Sequence, residues 1–143
     1  MDRYERISRN LFSCDLFYGK VDVKPSHNFI CYYIVQQPVS SEFLYEQSLE
    51  MTLSHCRCIN LYGKQSSLWY SAFKNQKKLV YQKERIEDIG EINEFDNLKD
   101  FVYTLKLDMR CHFFIPTDII LIYDDRKTYE KVLSLLKYQI SDS

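Results

Sequence analysis

The sequence is poor in the two residues that most often interrupt regular structure. Its 143 residues include three glycines and three prolines. Clusters of these residues mark flexible linkers and low-complexity tracts, so their scarcity excludes a string of loosely connected modules. No internal repeat is visible. A chain of this length can bury a core without disulfide or metal staples, and we expect one globular domain over residues 1–143.

Two further absences concern the compartment. No apolar run approaches the roughly 20 residues that a membrane span needs. The first ten residues, MDRYERISRN, are charged and lack the apolar segment of an export signal. Five cysteines are an odd number, which suits free thiols in a reducing compartment. We therefore expect a cytoplasmic protein that makes no contact with a membrane.

A large charge of one sign is also missing. The chain has 19 basic and 20 acidic residues, a net charge of -1. Proteins that hold nucleic acid through its phosphates normally carry a strongly basic face, so this balance argues against that function while leaving room for a local patch. Aromatic residues are plentiful at 15%, and 12 of them are tyrosines. Tyrosine favours contact surfaces, although a half-buried sheet explains it at least as well.

Hydrophobic patterns predict both strands and helices. Residues 29–35, FICYYIV, are aromatic and β-branched and indicate a buried strand. Ser40 or Ser41 can cap a helix to about residue 56. Two stripes at i+4 spacing favour that helix over a strand at residues 49–53. The members of the stripes are Tyr45, Leu49 and Leu53, and Glu42, Glu46 and Glu50.

The segment of residues 66–85, SSLWYSAFKNQKKLVYQKER, is interpreted as a β-hairpin. Residues 67–73 alternate large and small side chains and include the only tryptophan, whereas residues 79–82 are apolar and aromatic. The lysine-rich stretch 74–78 suits an exposed tip between strands at about 66–74 and 78–86.

The remaining elements follow from caps and periodicity. Asp96 is expected to cap a helix to about residue 108, and Asp124 or Asp125 a last helix over 126–139. The predicted inner faces are Leu98, Phe101, Val102 and Leu105, and Tyr129, Val132, Leu133 and Leu136. Strands are expected at 111–115 and 118–123. The structure of residues 1–28 stays open: residues 11–23 can hold a strand or two around Gly19, and residues 4–11 can form a short helix. The fold class is mixed α/β (α+β), with a central, mainly antiparallel sheet and about three helices packed on it.

Three constellations are weighed for chemistry. Residue types that can bind zinc occur in two places: His55, Cys56 and Cys58, and the distant pair Cys111 and His112. Their spacings do not match those of structural zinc sites, so thiols without a metal are the simpler interpretation. No nucleophile motif surrounds any cysteine or histidine. Asp118, Asp124 and Asp125 bracket a strand where carboxylates can bind a divalent metal for a small hydrolase, but helix capping also explains the last two.

Two charged clusters indicate binding. Basic residues beside rings in the expected hairpin 67–85 have the ingredients of a single-stranded nucleic-acid module, and a solvated tip has the same composition. These residues are Lys74, Lys77, Lys78, Lys83 and Arg85, with Trp69, Tyr70, Phe73 and Tyr81. Residues 87–96 instead carry five acidic residues and no basic one: Glu87, Asp88, Glu91, Glu94 and Asp96. Such a surface selects a basic partner by sign and would repel phosphate.

Three segments taken together resemble a known family. They are SSEFLYEQSLEMTL from Ser40, with Tyr45 and Gln47, then LWYSAF at 68–73, and VYQ at 80–82. They are similar to one group of immunity proteins of bacterial contact-dependent growth inhibition systems, in which a YxxQWxxAL helix precedes a strand of small and apolar residues and a VYxQ strand. The likeness covers about 45 of the 143 residues and transfers no binding residue.

The resemblance implies a cytosolic protein that binds and blocks the toxin domain of its own strain's effector, often an RNase or DNase, without catalysis or cofactor. We therefore expect a nuclease-inhibiting immunity protein whose partner is a basic toxin domain. Its oligomeric state, monomer or homodimer, stays open. The predicted contact residues are Glu87, Asp88, Glu91, Glu94 and Asp96, with Trp69 and Tyr81 as aromatic anchors.

Overall fold

The computed structural model of the chain describes residues 5–17, 29–54, 56–84, 90–111 and 117–140, with the side chains of all these except 81–84 and 138–140. Strands and helices alternate along most of this length. In chain order they are β1 Glu5–Arg6, β2 Leu11–Asp15, β3 Phe29–Ile34, α1 Ser41–Leu53, β4 Cys58–Tyr62, α2 Ser66–Glu84, β5 Glu91–Phe95, α3 Leu98–Cys111, β6 Asp118–Tyr123 and α4 Arg126–Ile140.

The six strands form one mostly parallel sheet in the order β1-β2-β6-β3-β4-β5. Only β1 runs antiparallel to its neighbour. The mixed α/β class is therefore confirmed, but the prediction of a mainly antiparallel sheet is wrong, because four of the five strand pairs are parallel. The four helices of the described residues are compatible with the expected number of about three. The central strands β3 and β6 are nearly continuously apolar, and this composition is typical of parallel strands buried on both faces.

Helices cover both faces of the sheet. On one face, Met51 of α1 and Trp69 of α2 pack with Cys31 and Tyr33 of β3. On the other face, residues of α3 and α4 pack with Tyr32 and its alternate neighbours in β3. The arrangement has three layers, because each parallel pair in this sheet needs a crossover connection and the crossovers place helices on the faces.

The predicted hairpin is wrong, because residues Ser66–Glu84 form the single 19-residue helix α2. Among its described side chains, the buried ones are Ser66, Trp69, Phe73, Gln76 and Val80. They recur at intervals of three, four, three and four, which is the period of a helix buried along one stripe. The large-and-small alternation at residues 67–73 matched a strand only over a window too short to separate the two periods. The helix also supplies the crossover that makes β4 and β5 parallel.

Helix α1 is confirmed, and it begins as predicted, with the Ser40 Oγ accepting a hydrogen bond from the Phe43 N–H at 3.1 Å. Its apolar stripe, however, points outward. Tyr45 is 57% exposed and Leu53 is also exposed, whereas Met51 and the polar Ser48 and Thr52 face the sheet. Ser48 and Thr52 can be buried because their hydroxyls donate to carbonyls of the preceding turn, the Tyr45 and Ser48 oxygens.

The helices α3 and α4 bury the faces predicted for them. The cap of α3 is Asn97 rather than Asp96: its Oδ1 accepts from the Asp100 N–H at 2.8 Å. Cys111 ends α3, so it does not begin a strand, and residues 112–116 lie outside the described part. Of the two structures left open for residues 1–28, the short helix at 4–11 does not form, because β1 occupies residues 5–6 and β2 begins at residue 11.

The strand predicted at 118–123 is confirmed as β6, and the strand left open within 11–23 forms as β2, although positions 18–23 of the second range lie outside the described residues. Among the helices that the structure describes, none combines the length and the apolar character that crossing a membrane would require.

Candidate partner-binding surface

Strand β5 lies at one edge of the sheet and pairs with β4 alone among the described strands. Half of the backbone N–H and C=O groups of an edge strand point away from its neighbour and are available to a partner. The opposite edge is β1, which has only two residues. Of the two edges described, β5 with its five residues is the one long enough to accept an added strand.

Side-chain contacts with β4 and α3 fix the position of β5 in the sheet. The buried Asn60 of β4, 1% exposed, donates from Nδ2 to the Cys31 carbonyl at 3.3 Å. Its Oδ1 accepts from Asn93 Nδ2 of β5 at 3.1 Å. Further along, the ring of Phe95 packs edge-on against Phe101 of α3, with ring centroids 5.8 Å apart. The amide ladder satisfies polar groups that burial would otherwise penalise, so the edge strand is firmly attached to the sheet.

The entry to β5 depends on a glycine. Gly90 adopts φ +81°, a conformation that residues with a side chain rarely adopt. A Cβ at this position would lie 1.3 Å from the Arg57 carbonyl oxygen, so only glycine allows the backbone to approach so closely. The Lys77 Nζ of α2 donates to the Gly90 carbonyl and fixes the same turn from the helix side.

The acidic residues of the described part of this edge have two different roles. Glu91 and Asp96 are exposed at the start of β5 and just beyond its end. Glu94 is exposed too, but its Oε2 accepts hydrogen bonds from the Ser66 and Ser67 hydroxyls at 2.8 and 2.9 Å. Since α2 has no acidic residue in its first turn, Glu94 brings negative charge to the positive end of that helix.

The other predicted contact residues are placed differently. Glu87 and Asp88 lie outside the described residues, and Tyr81 lies in α2 with a side chain that is also outside them. Trp69 is fully buried, with its ring centroid 5.5 Å from that of Tyr33. The prediction that Trp69 is a surface anchor is therefore wrong: at i, i+4 from Phe73 it belongs to the inner stripe of α2.

Burial of aromatic rings in α2 also argues against the predicted single-stranded nucleic-acid module, which needs exposed rings to stack on bases. Trp69 and Phe73 are both fully buried, so neither ring can stack on a base. Tyr70 is half-buried and already lies under a cation, with the Lys74 Nζ 5.3 Å from its ring centroid. The basic residues of α2 thus lie on a helical surface on which none of the three described rings, Trp69, Tyr70 and Phe73, is fully exposed.

The aspartates proposed as metal ligands do not meet. Asp118 begins β6 and Asp124 follows its end, so the two are about 20 Å apart at the usual rise of a strand. Both oxygens of Asp124 accept backbone N–H groups, from Gln36 and from Gln37, each at 2.8 Å. Asp125 caps α4 by accepting from the Thr128 N–H at 3.1 Å. Burial raises the pKa of Asp124, and these two hydrogen bonds counteract the shift.

Three of the five cysteines, Cys14, Cys31 and Cys56, are buried in the same core cluster, and the other two lie elsewhere. Cys56 belongs to the core on the α1–α2 side, Cys58 packs on the opposite side, and Cys111 is exposed at the end of α3. Nowhere in the described ranges do three or more histidine, cysteine or acidic side chains gather as metal ligands would. Burial raises the pKa of the Cys58 thiol to about 11 and that of Cys14 to about 12, so both are protonated at neutral pH.

The fold and this surface together define a three-layer α/β protein whose exposed sheet edge carries negative charge. Comparison of the chain with protein-family models, with curated proteins and with solved structures found no match. The sequence analysis did not predict that β5 is an edge strand. The sequence indicates this strand only through the short stretch EINEF, where apolar residues alternate unevenly with charged ones.

Proposed function

We propose that this protein is an intracellular immunity protein, which binds a cognate toxin domain and covers its active or substrate-binding site. One observation carries the proposal: the edge strand β5 and the residue after it present three exposed acidic side chains, Glu91, Glu94 and Asp96. Among the described strands β5 pairs with β4 alone, so the outer side of its backbone can accept a strand from a partner. Backbone pairing supplies affinity, and the charges select the partner.

The sign of the surface indicates the class of toxin. Nucleases bind phosphate through basic residues, so an acidic edge is complementary to the part of a nuclease that an inhibitor must cover. The net charge of the whole chain is only -1, so the complementarity is local to this edge. Inhibition then requires no bond to be made or broken by the protein and no cofactor.

Reversing two charges of the edge tests the proposal. We expect the double variant Glu91→Lys with Asp96→Lys to associate at least about tenfold more slowly with the cognate toxin domain, because repulsion replaces electrostatic steering. The association rate constant is measured by surface plasmon resonance at several salt concentrations. Glu94 is left unchanged, since its hydrogen bonds to Ser66 and Ser67 tie it to the fold.

The matched control is Glu5→Lys with Glu130→Lys, which changes the net charge by the same amount. Glu5 lies on β1 at the far edge of the sheet, and Glu130 is exposed on α4. The control is expected to retain nearly the wild-type rate constant. If both double variants slow association equally, or if neither does, the acidic edge is not the contact.

A further inference from the structure

A second surface, distinct from the β5 edge, lies between the outer sides of α1 and α2. The two helices enclose a groove of about 530 Å³, lined among others by Leu44, Tyr45, Ala72 and Leu79. Tyr45 is 57% and Leu79 is 52% exposed, and Leu53 and Leu68 add exposed apolar surface on the same helices. A concentration of large apolar side chains on one face is typical of an interaction surface.

The two sides of this groove have opposite charge. Helix α1 contains Glu42, Glu46 and Glu50 and no basic residue, a net charge of -3. Helix α2 contains four lysines and one glutamate, a net charge of +3. Among the described side chains, the exposed Glu42 and Glu46 of α1 and the exposed Lys74 and Lys78 of α2 carry this contrast, whereas Lys77 donates to the Gly90 carbonyl. Acidic and basic side chains side by side make this face complementary to a copy of itself, provided that the copy is turned so that each helix meets the other.

The exposed acidic residues of α1 and the exposed basic residues of α2 also lie at the same height along the groove. Gln76 Nε2 of α2 donates to the Tyr45 carbonyl at 3.4 Å, so residues 45 and 76 lie side by side. Counting from this contact along two helices that run in the same direction, Glu42 and Glu46 come within about one turn of Lys74 and Lys78. All four side chains are exposed. Within the described part of the chain, no ion pair joins Glu42 or Glu46 to α2.

We propose that the α1–α2 face is the interface of a symmetric homodimer. A two-fold axis running along the groove places α1 of one copy over α2 of its partner and preserves the level of each residue. Glu42 and Glu46 then face the partner's Lys74 and Lys78 twice over, with Tyr45 and Leu79 between them. An axis running across the groove would instead oppose α1 to α1 and repel, so the charges select the first arrangement.

Charge reversal with mixing tests this arrangement. The α1-reversed variant carries Glu42→Lys and Glu46→Lys, and the α2-reversed variant carries Lys74→Glu and Lys78→Glu. Sedimentation velocity of the wild-type chain over a wide concentration range is expected to show a dimer. Each variant alone is expected to dissociate at least about tenfold more readily, because both symmetry-related contacts become repulsive. An equimolar mixture of the two variants is expected to restore the dimer, since every contact again joins opposite charges.

The apolar part of the interface has its own variant and control. Tyr45→Ser is expected to weaken the dimer, whereas Tyr103→Ser, at a tyrosine of α3 that is 62% exposed on the other side of the sheet, is expected to leave it unchanged. A wild-type chain that is monomeric at all concentrations overturns the inference. So does a dimer that both reversed variants retain, or a mixture that stays monomeric. The Glu91→Lys, Asp96→Lys variant is expected to remain dimeric, which separates this interface from the proposed toxin contact.

Discussion

Replacing Trp69 by alanine is expected to lower the free energy of unfolding by about 3–5 kcal/mol, the usual cost of truncating a large buried aromatic side chain. The indole is fully buried between the sheet and α2, with ring centroids 5.5 Å from Tyr33 and 6.1 Å from Phe73. The substitution therefore removes apolar contacts and leaves a cavity that neighbours on a rigid sheet cannot fill. Urea denaturation followed by far-UV circular dichroism measures the change.

The adjacent residue provides the control. Leu68 precedes Trp69 in α2 but is 59% exposed, so Leu68→Ala is expected to change the free energy of unfolding by no more than about 0.5 kcal/mol. Comparable small effects at both positions would contradict the placement of Trp69 in the core and would restore a surface role for it.

Replacing Asp124 by alanine is expected to cost about 2–4 kcal/mol of unfolding free energy, because hydrogen bonds to a charged group each contribute about 1.5–3 kcal/mol and part of that is offset by relief of the desolvation of the carboxylate. The carboxylate accepts the N–H groups of Gln36 and Gln37 and so ties the end of β6 to the segment that follows β3. Thermal and urea denaturation of the purified variant measure the loss.

Two further variants test whether the hydrogen bonds of Asp124 between the strands cause this loss. Asp125→Ala removes the cap of α4 and is expected to cost about 1 kcal/mol, the typical value for a helix cap. Asp124→Asn keeps one acceptor oxygen and is expected to fall between wild type and Asp124→Ala. A larger loss at Asp125 than at Asp124 would show that the bridge between the two strands contributes little.

Features that depend only on the local sequence pattern were predicted correctly. The strands β3 and β6 are evident from the sequence because continuous apolar runs, of seven and five residues, indicate a strand that is buried on both faces. The buried faces of α3 and α4 followed from i+3 and i+4 spacing. The acidic character of the stretch around β5 was also readable, since it depends only on composition.

Local pattern misled where two periods agree over a short window. Residues 67–73 satisfy both a strand and a helix, and only the continuation through Gln76 and Val80 separates them. In α1 the outward position of Tyr45 was not predictable, because a residue's apolar character does not say which side of a helix the sheet will cover. The polar Ser48 and Thr52 occupy the covered side by bonding to their own helix.

The amino-acid order thus determined which stretches are apolar, where most helices begin and that acidic residues cluster before α3, since each of these depends on neighbours within a few positions. The tertiary structure decided strand order and direction, the edge position of β5 and the use of Asp124 as a bridge between strands. These features arise from contacts between residues distant in the chain, and no local periodicity encodes which distant partner a strand will choose. The proposed partner surface is a product of both: the charges belong to the sequence, and their exposure along an open edge belongs to the fold.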